Sequence, residues 1–110
     1  MKNYLICYFV LRQCLFETLE DDLADLLSEI SPELWENSSD GNNELCRRWA
    51  GVINADIMSG EEIRASLIDA LANTGKSLSK TISHLRNADM QYYLSSAEEL
   101  AENLLSEWSV

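Results

Sequence analysis

Most of the side chains in this chain that could do chemistry are acids. Ten carboxylates stand between Glu17 and Glu44 (Glu17, Glu20, Asp21, Asp22, Asp25, Glu29, Glu33, Glu36, Asp40 and Glu44), with no Lys or Arg among them. The chain of 110 residues has a formal charge of -11, so this stretch carries nearly all of the excess. Clustered carboxylates can hold a cation, work as an acid–base pair, or present a negative surface to a partner. The segment Glu36-x-Ser38-x-Asp40-Gly41 places its glycine as a calcium loop does, but the twelfth position falls on Arg47, and Pro32 interrupts the helix that should lead in. No metal and no other cofactor is expected. Asp21, Asp25 and Glu29 recur at helical spacing without a histidine companion, which is the pattern of a solvated face.

Nucleophilic catalysis needs a base beside the nucleophile. The one histidine, His84, lies between Ile82 and Leu85 in a helical pattern and reads as a structural residue; nothing supports a dyad with a cysteine. The four glycines are isolated, so no phosphate-cradling loop exists. No catalytic signature is present, and recognition is the chemistry that remains. Trp35 sits inside the acidic stretch beside a polar loop and can serve as an interface anchor. Packing under that loop is its structural alternative, and Trp49 and Trp108 fall on core stripes.

The elements that must position these groups read as helices. Tyr4, Leu5, Tyr8, Leu11, Leu15 and Leu19 form a helical stripe over residues 3–18, although Tyr4 to Val10 also has the composition of a buried strand. Leu23, Leu26, Leu27 and Ile30 fall at i, i+3, i+4, i+7, which turns Asp21, Asp22, Asp25 and Glu29 toward solvent. Ser31-Pro32-Glu33 opens one short turn ending near Trp35, and Asn37 to Asn43 is the longest loop signal. A helix is expected from about Glu44 to Ala55. Ser59 and Glu62 form a capping box, with Met58 able to staple to Ile63, and open a helix carrying Ile63, Leu67, Ala70 and Leu71 that stops near Gly75. A further helix covers about Ser77 to Asn87, with Leu78, Ile82 and Leu85 inward. Tyr92, Tyr93 and Leu94 read as a short link before a last helix that starts at Ser95 or Ser96 and carries Ala97, Leu100, Ala101, Leu104, Leu105 and Trp108. The expected fold is a single-domain all-α bundle of five or six helices over residues 1–110.

Composition narrows the partner. A pI near 4.3 works against direct nucleic-acid binding, which needs Lys and Arg on the phosphates, and against an anionic membrane. No apolar run reaches the roughly 20 residues of a membrane span. Cys7, Cys14 and Cys46 show no disulfide or zinc spacing, and they read as free thiols of a cytosolic protein. The complementary surface is that of a basic protein. Residues 45–88 are mildly basic, so part of the acidic stretch could instead be neutralised within the chain, by Arg47 and Arg48 or by the helix over 76–86.

Leu26-Leu27-Ser28-Glu29-Ile30-Ser31-Pro32-Glu33-Leu34-Trp35, then Asp40-Gly41 and Trp49, resembles a pattern in small acidic immunity proteins of bacterial toxin–immunity pairs, including contact-dependent growth inhibition systems. The resemblance covers about residues 23–53. Where the pattern continues after the glycine with an Asp-Pro-Ala-like segment, this chain has Asn42-Asn43-Glu44. The resemblance implies a non-catalytic inhibitor whose carboxylates fill the basic cleft of a nuclease-type toxin. It carries over a class and no residue; the charge pattern, with Trp35 inside it, makes Asp21, Asp22, Asp25, Glu29, Glu33, Trp35, Glu36 and Asp40 the expected partner-binding residues. Two other readings stand beside it: a DNA-mimicking antirestriction or anti-CRISPR protein, which would also use the acids of the 98–107 helix, and an adaptor subunit whose acids only keep it soluble.

Overall fold

The computed structural model describes residues 2–31 and 59–108. Among these, the chain forms five helices and no strand: α1 (Lys2–Thr18), α2 (Asp21–Glu29), α3 (Gly60–Ala72), α4 (Ser79–Asn87) and α5 (Met90–Trp108). The fold is all-α. The short turn expected at 31–35, the loop at 37–43, the helix at 44–55 and the Met58 staple lie outside the described residues.

The centre of the bundle is α1, which packs most extensively on α5 and also on α4 and α2. Its composition explains the position. Leu5, Ile6, Cys7, Phe9, Val10, Leu11 and Cys14 are all buried, so the helix is apolar around most of its circumference and must be covered on several sides. That corrects the single stripe read from the sequence. Leu19, the last residue of that stripe, is 75% exposed. The helical alternative holds over Tyr4 to Val10, since the backbone there is α-helical and finds its hydrogen bonds locally.

The outer helices follow their patterns closely. In α2, Leu23, Leu26 and Leu27 are buried, as is Ile30 just beyond its end. In α3, Ile63, Leu67, Ala70 and Leu71 face the core. Its start is the expected capping box, in which the Glu62 amide donates to Ser59 Oγ at 3.2 Å while the Glu62 carboxylate reaches back to the Ser59 backbone. Gly60 stands where α5 passes close by; a Cβ there would lie 3.3 Å from Met90 Cβ and Leu94 Cδ1. After Ala72 the chain turns through Gly75, whose φ of 77° is the left-handed conformation that glycine adopts without strain.

One boundary differs from the sequence reading. Tyr92, Tyr93 and Leu94 are not a link but the first turns of α5, which runs unbroken from Met90. Asp89 starts it: its carboxylate accepts the Gln91 amide at 3.1 Å and its carbonyl accepts the Tyr92 amide at 3.1 Å, the bonding of an N-cap. The buried face of α5 is then Met90, Tyr93, Ala97 and Ala101, with Leu104 and Leu105 half-buried and Leu100 at 37% exposure.

No helix among the described residues is long and apolar enough to cross a membrane.

Candidate interaction surface

The acidic stretch begins at the corner between α1 and α2, and the corner sorts its carboxylates by direction. After α1 ends at Thr18, Leu19 takes a positive φ of 54° and Glu20 is extended (φ -78°, ψ 120°), so α2 starts along a new axis. This places α2 against the segment that leads into α4.

Four acids of the stretch are used inside the bundle. Glu20 caps α4 across 60 residues of sequence: its Oε2 accepts the Lys80 amide at 3.1 Å, and its Oε1 accepts the Thr81 amide at 3.0 Å and the Thr81 hydroxyl at 2.7 Å. The reason is local to α4. Its own N-cap residue, Leu78, has no side-chain acceptor, so the first amides are left for a carboxylate from elsewhere, and a negative charge there also meets the positive end of the helix dipole. Thr81 is fully buried, and Glu20 satisfies its hydroxyl. Asp22 Oδ2 accepts the Ser77 amide at 2.7 Å, and Lys76 Nζ donates to Glu29 Oε1 at 3.1 Å. The fourth acid, Glu17, faces α4 and α5. Tyr93 donates its phenolic hydrogen to Glu17, His84 Nε2 pairs with the same carboxylate oxygen, and His84 Nε2 lies 2.7 Å from the Tyr93 oxygen.

The Glu17–His84–Tyr93 trio was not legible in the sequence, where His84 stood alone. It ties together three helices whose contributing residues are up to 76 positions apart. The Tyr93 hydrogen bond holds the Glu17 carboxyl below its ordinary range, with Gln13 and His84 adding to the effect and partial burial opposing it. Burial, and then the Glu17 bond, push the Tyr93 hydroxyl in the other direction, upward. The nearest thiol is no nucleophile at neutral pH: Cys14 is fully buried, and desolvation with the Glu17 charge pushes it up to about 12. Cys7, also fully buried, is pushed up to about 12 by desolvation. Both thiols are free, as the cysteine spacing implied. A shallow groove of about 520 Å³ beside His84 is lined by Thr18, Ser79, Lys80 and Ser83, and it lies next to the Glu17 and Glu20 carboxylates. Among the described residues no group of His, Cys, Asp and Glu is arranged to hold a metal ion.

Asp21 and Asp25 face outward. They are one helical turn apart on α2, both exposed, on the side away from Leu23, Leu26 and Leu27. Of the eight residues expected to meet a partner, the structure therefore places these two on an open face. It gives Asp22 and Glu29 contacts within the chain. Glu33, Trp35, Glu36 and Asp40 lie outside the described residues. A second set of exposed acids, Glu98, Glu99, Glu102 and Glu107, lies along α5. The sequence reading that the helix over 76–86 could neutralise part of the stretch is met at Lys76, Ser77, Lys80 and Thr81, mostly through backbone amides.

No protein-family model, curated protein or solved structure matches this chain.

Proposed function

We propose that this chain is a non-catalytic acidic protein that binds and neutralises a basic protein partner in the cytosol, as the immunity protein of a cognate nuclease-type toxin. The observation that supports the reading is the outward pair Asp21 and Asp25. The bundle uses Glu17, Glu20, Asp22 and Glu29 to join its helices, yet it leaves this pair of like charges exposed at i, i+4, which costs a few tenths of a kcal/mol, with no ion pair to either carboxylate among the described residues. A basic cleft shaped for phosphates supplies a counter-charge for this pair. Carboxylates placed in it exclude the substrate, and the field of the acidic face speeds encounter over roughly a Debye length, about 8 Å at physiological salt.

The exposed acids along α5 favour a second reading, a DNA-mimicking inhibitor that engages several nucleic-acid enzymes through a longer row of charge. A pull-down from a lysate of the source organism, eluted with a salt gradient, separates the two. One basic protein released steeply by salt, and lost when Asp21→Lys and Asp25→Lys are combined, is the outcome expected for cognate inhibition. Several nucleic-acid enzymes retained by the wild-type chain, and lost when Glu98, Glu99 and Glu102 are reversed to Lys, would replace it with the mimic. A partner held regardless of salt and of both reversals would overturn the two readings together.

A further inference from the structure

The corner that carries Asp21 also carries apolar surface that the core does not use. Phe16 is 69% exposed and Leu19 is 75% exposed, one turn apart at the end of α1. Tyr92, the other strongly exposed aromatic among the described residues, at least packs edge-on against the Tyr93 ring at 5.5 Å between centroids. Leu19 is unfavourable twice over. Its side chain is in water, and its φ of 54° lies in the left-handed region where a Cβ crowds the backbone and glycine is preferred. The turn itself asks only for that backbone: the Leu19 amide closes α1 on the Leu15 carbonyl at 2.9 Å, and a glycine at this position just past the helix end would do the same without strain. Neither the turn nor the core accounts for the leucine.

The surroundings supply an account. Asp21 is two residues beyond Leu19 and Asp25 is one turn further, both exposed, while the neighbouring Glu17 and Glu20 carboxylates are committed to Tyr93 and Thr81. An exposed apolar pair followed at the same corner by outward carboxylates complements an apolar hollow bordered by Lys or Arg. Protein interfaces have this anatomy: buried anchors at the centre set the rate of release, and charges at the rim set the rate of encounter.

We propose that Phe16 and Leu19 are the apolar anchors through which the α1–α2 corner docks a basic protein, with Asp21 and Asp25 as its charged rim. This rests on the recognition function proposed above and adds the contact that holds the complex together.

The test uses the basic protein recovered in the salt-eluted pull-down, purified, and the full chain as wild type, Leu19→Gly, Phe16→Ser and the Asp21→Lys, Asp25→Lys pair. Leu19→Gly is the decisive variant because strain and anchoring pull its two readouts apart. It is expected to raise Tm by about 3 °C as the backbone relaxes, and to speed dissociation about tenfold or more as the anchor is lost. Phe16→Ser should also speed dissociation, with association little changed. The charge-reversed pair should slow association and flatten its salt dependence. Dissociation of Leu19→Gly within about twofold of wild type would overturn the anchor assignment while leaving the recognition reading intact. A Tm lower than wild type for Leu19→Gly would overturn the claim that the leucine is held against backbone preference. Failure to recover a basic protein, or recovery that ignores salt and charge reversal, would overturn both proposals.

Discussion

Glu20 and Asp21 are neighbours in sequence, carry the same charge and open the same helix, yet the fold uses them in opposite ways. Glu20 turns inward, accepts three hydrogen bonds from the start of α4 and satisfies a fully buried threonine. Asp21 turns outward with Asp25, on a face that touches no other described element. The same division separates Asp22 and Glu29 from Asp25. A carboxylate's contribution here is decided by whether amides lacking partners stand opposite it, and net charge alone does not reveal that. The inward row belongs to folding, and the outward row is available to a partner.

The comparison can be broken most easily at Glu20. Glu20→Ala strips the N-terminal cap of α4 and orphans the Thr81 hydroxyl, and it should lower stability by about 2 kcal/mol, seen as a fall in Tm of about 10 °C in a thermal melt. Asp21→Ala should change stability by less than about 0.5 kcal/mol in the same melt. Equal effects at the two positions would remove the distinction between the rows. Asp22→Ala should fall between them, at about 1 kcal/mol, because it leaves the Ser77 amide without its acceptor.

Tyr93→Phe sharpens the comparison through pH. The Tyr93 hydrogen bond, followed by lesser help from Gln13 and His84, favours the ionised form of Glu17, so the folded-state pKa lies below the ordinary value of 4.5. The associated stability is complete well above 4.5 and is lost as pH falls through the lowered folded value. Urea titrations should show Tyr93→Phe about 1 kcal/mol less stable than wild type at pH 7, with the gap closing progressively below pH 4.5. A gap that stays constant into acid would mean the phenol contributes by packing alone. The smallest effect is expected from Lys76→Met, which removes the partly exposed ion pair with Glu29 and should cost under about 0.5 kcal/mol, disappearing in high salt.

Much of the fold was legible because it follows from short-range pattern. The period of Leu23, Leu26, Leu27 and Ile30, the Ser59–Glu62 capping box and the stop at Gly75 are each set by residues within one or two turns of one another, and all three are found as read. The start of α5 differs from the sequence reading because Asp89 caps the helix ahead of the bulky run Tyr92-Tyr93-Leu94, and that residue type in front of Met90 was the available signal. At the candidate site, the outward positions of Asp21 and Asp25 followed from the same period. The fates of Glu17, Glu20 and Asp22 did not, since their partners lie 55 to 76 residues away. Leu19 continues the stripe in register, but the chain has already left the helix there.

The sequence by itself determined that this chain is helical and acidic, because charge is additive and helix faces repeat every few residues. Which acids hold the molecule together and which stay exposed was decided only when α2 came to rest beside the start of α4, which has no cap of its own. That pairing depends on the angle of one corner, and no local pattern encodes the angle. It is set by Leu19 in a backbone conformation that its residue type disfavours.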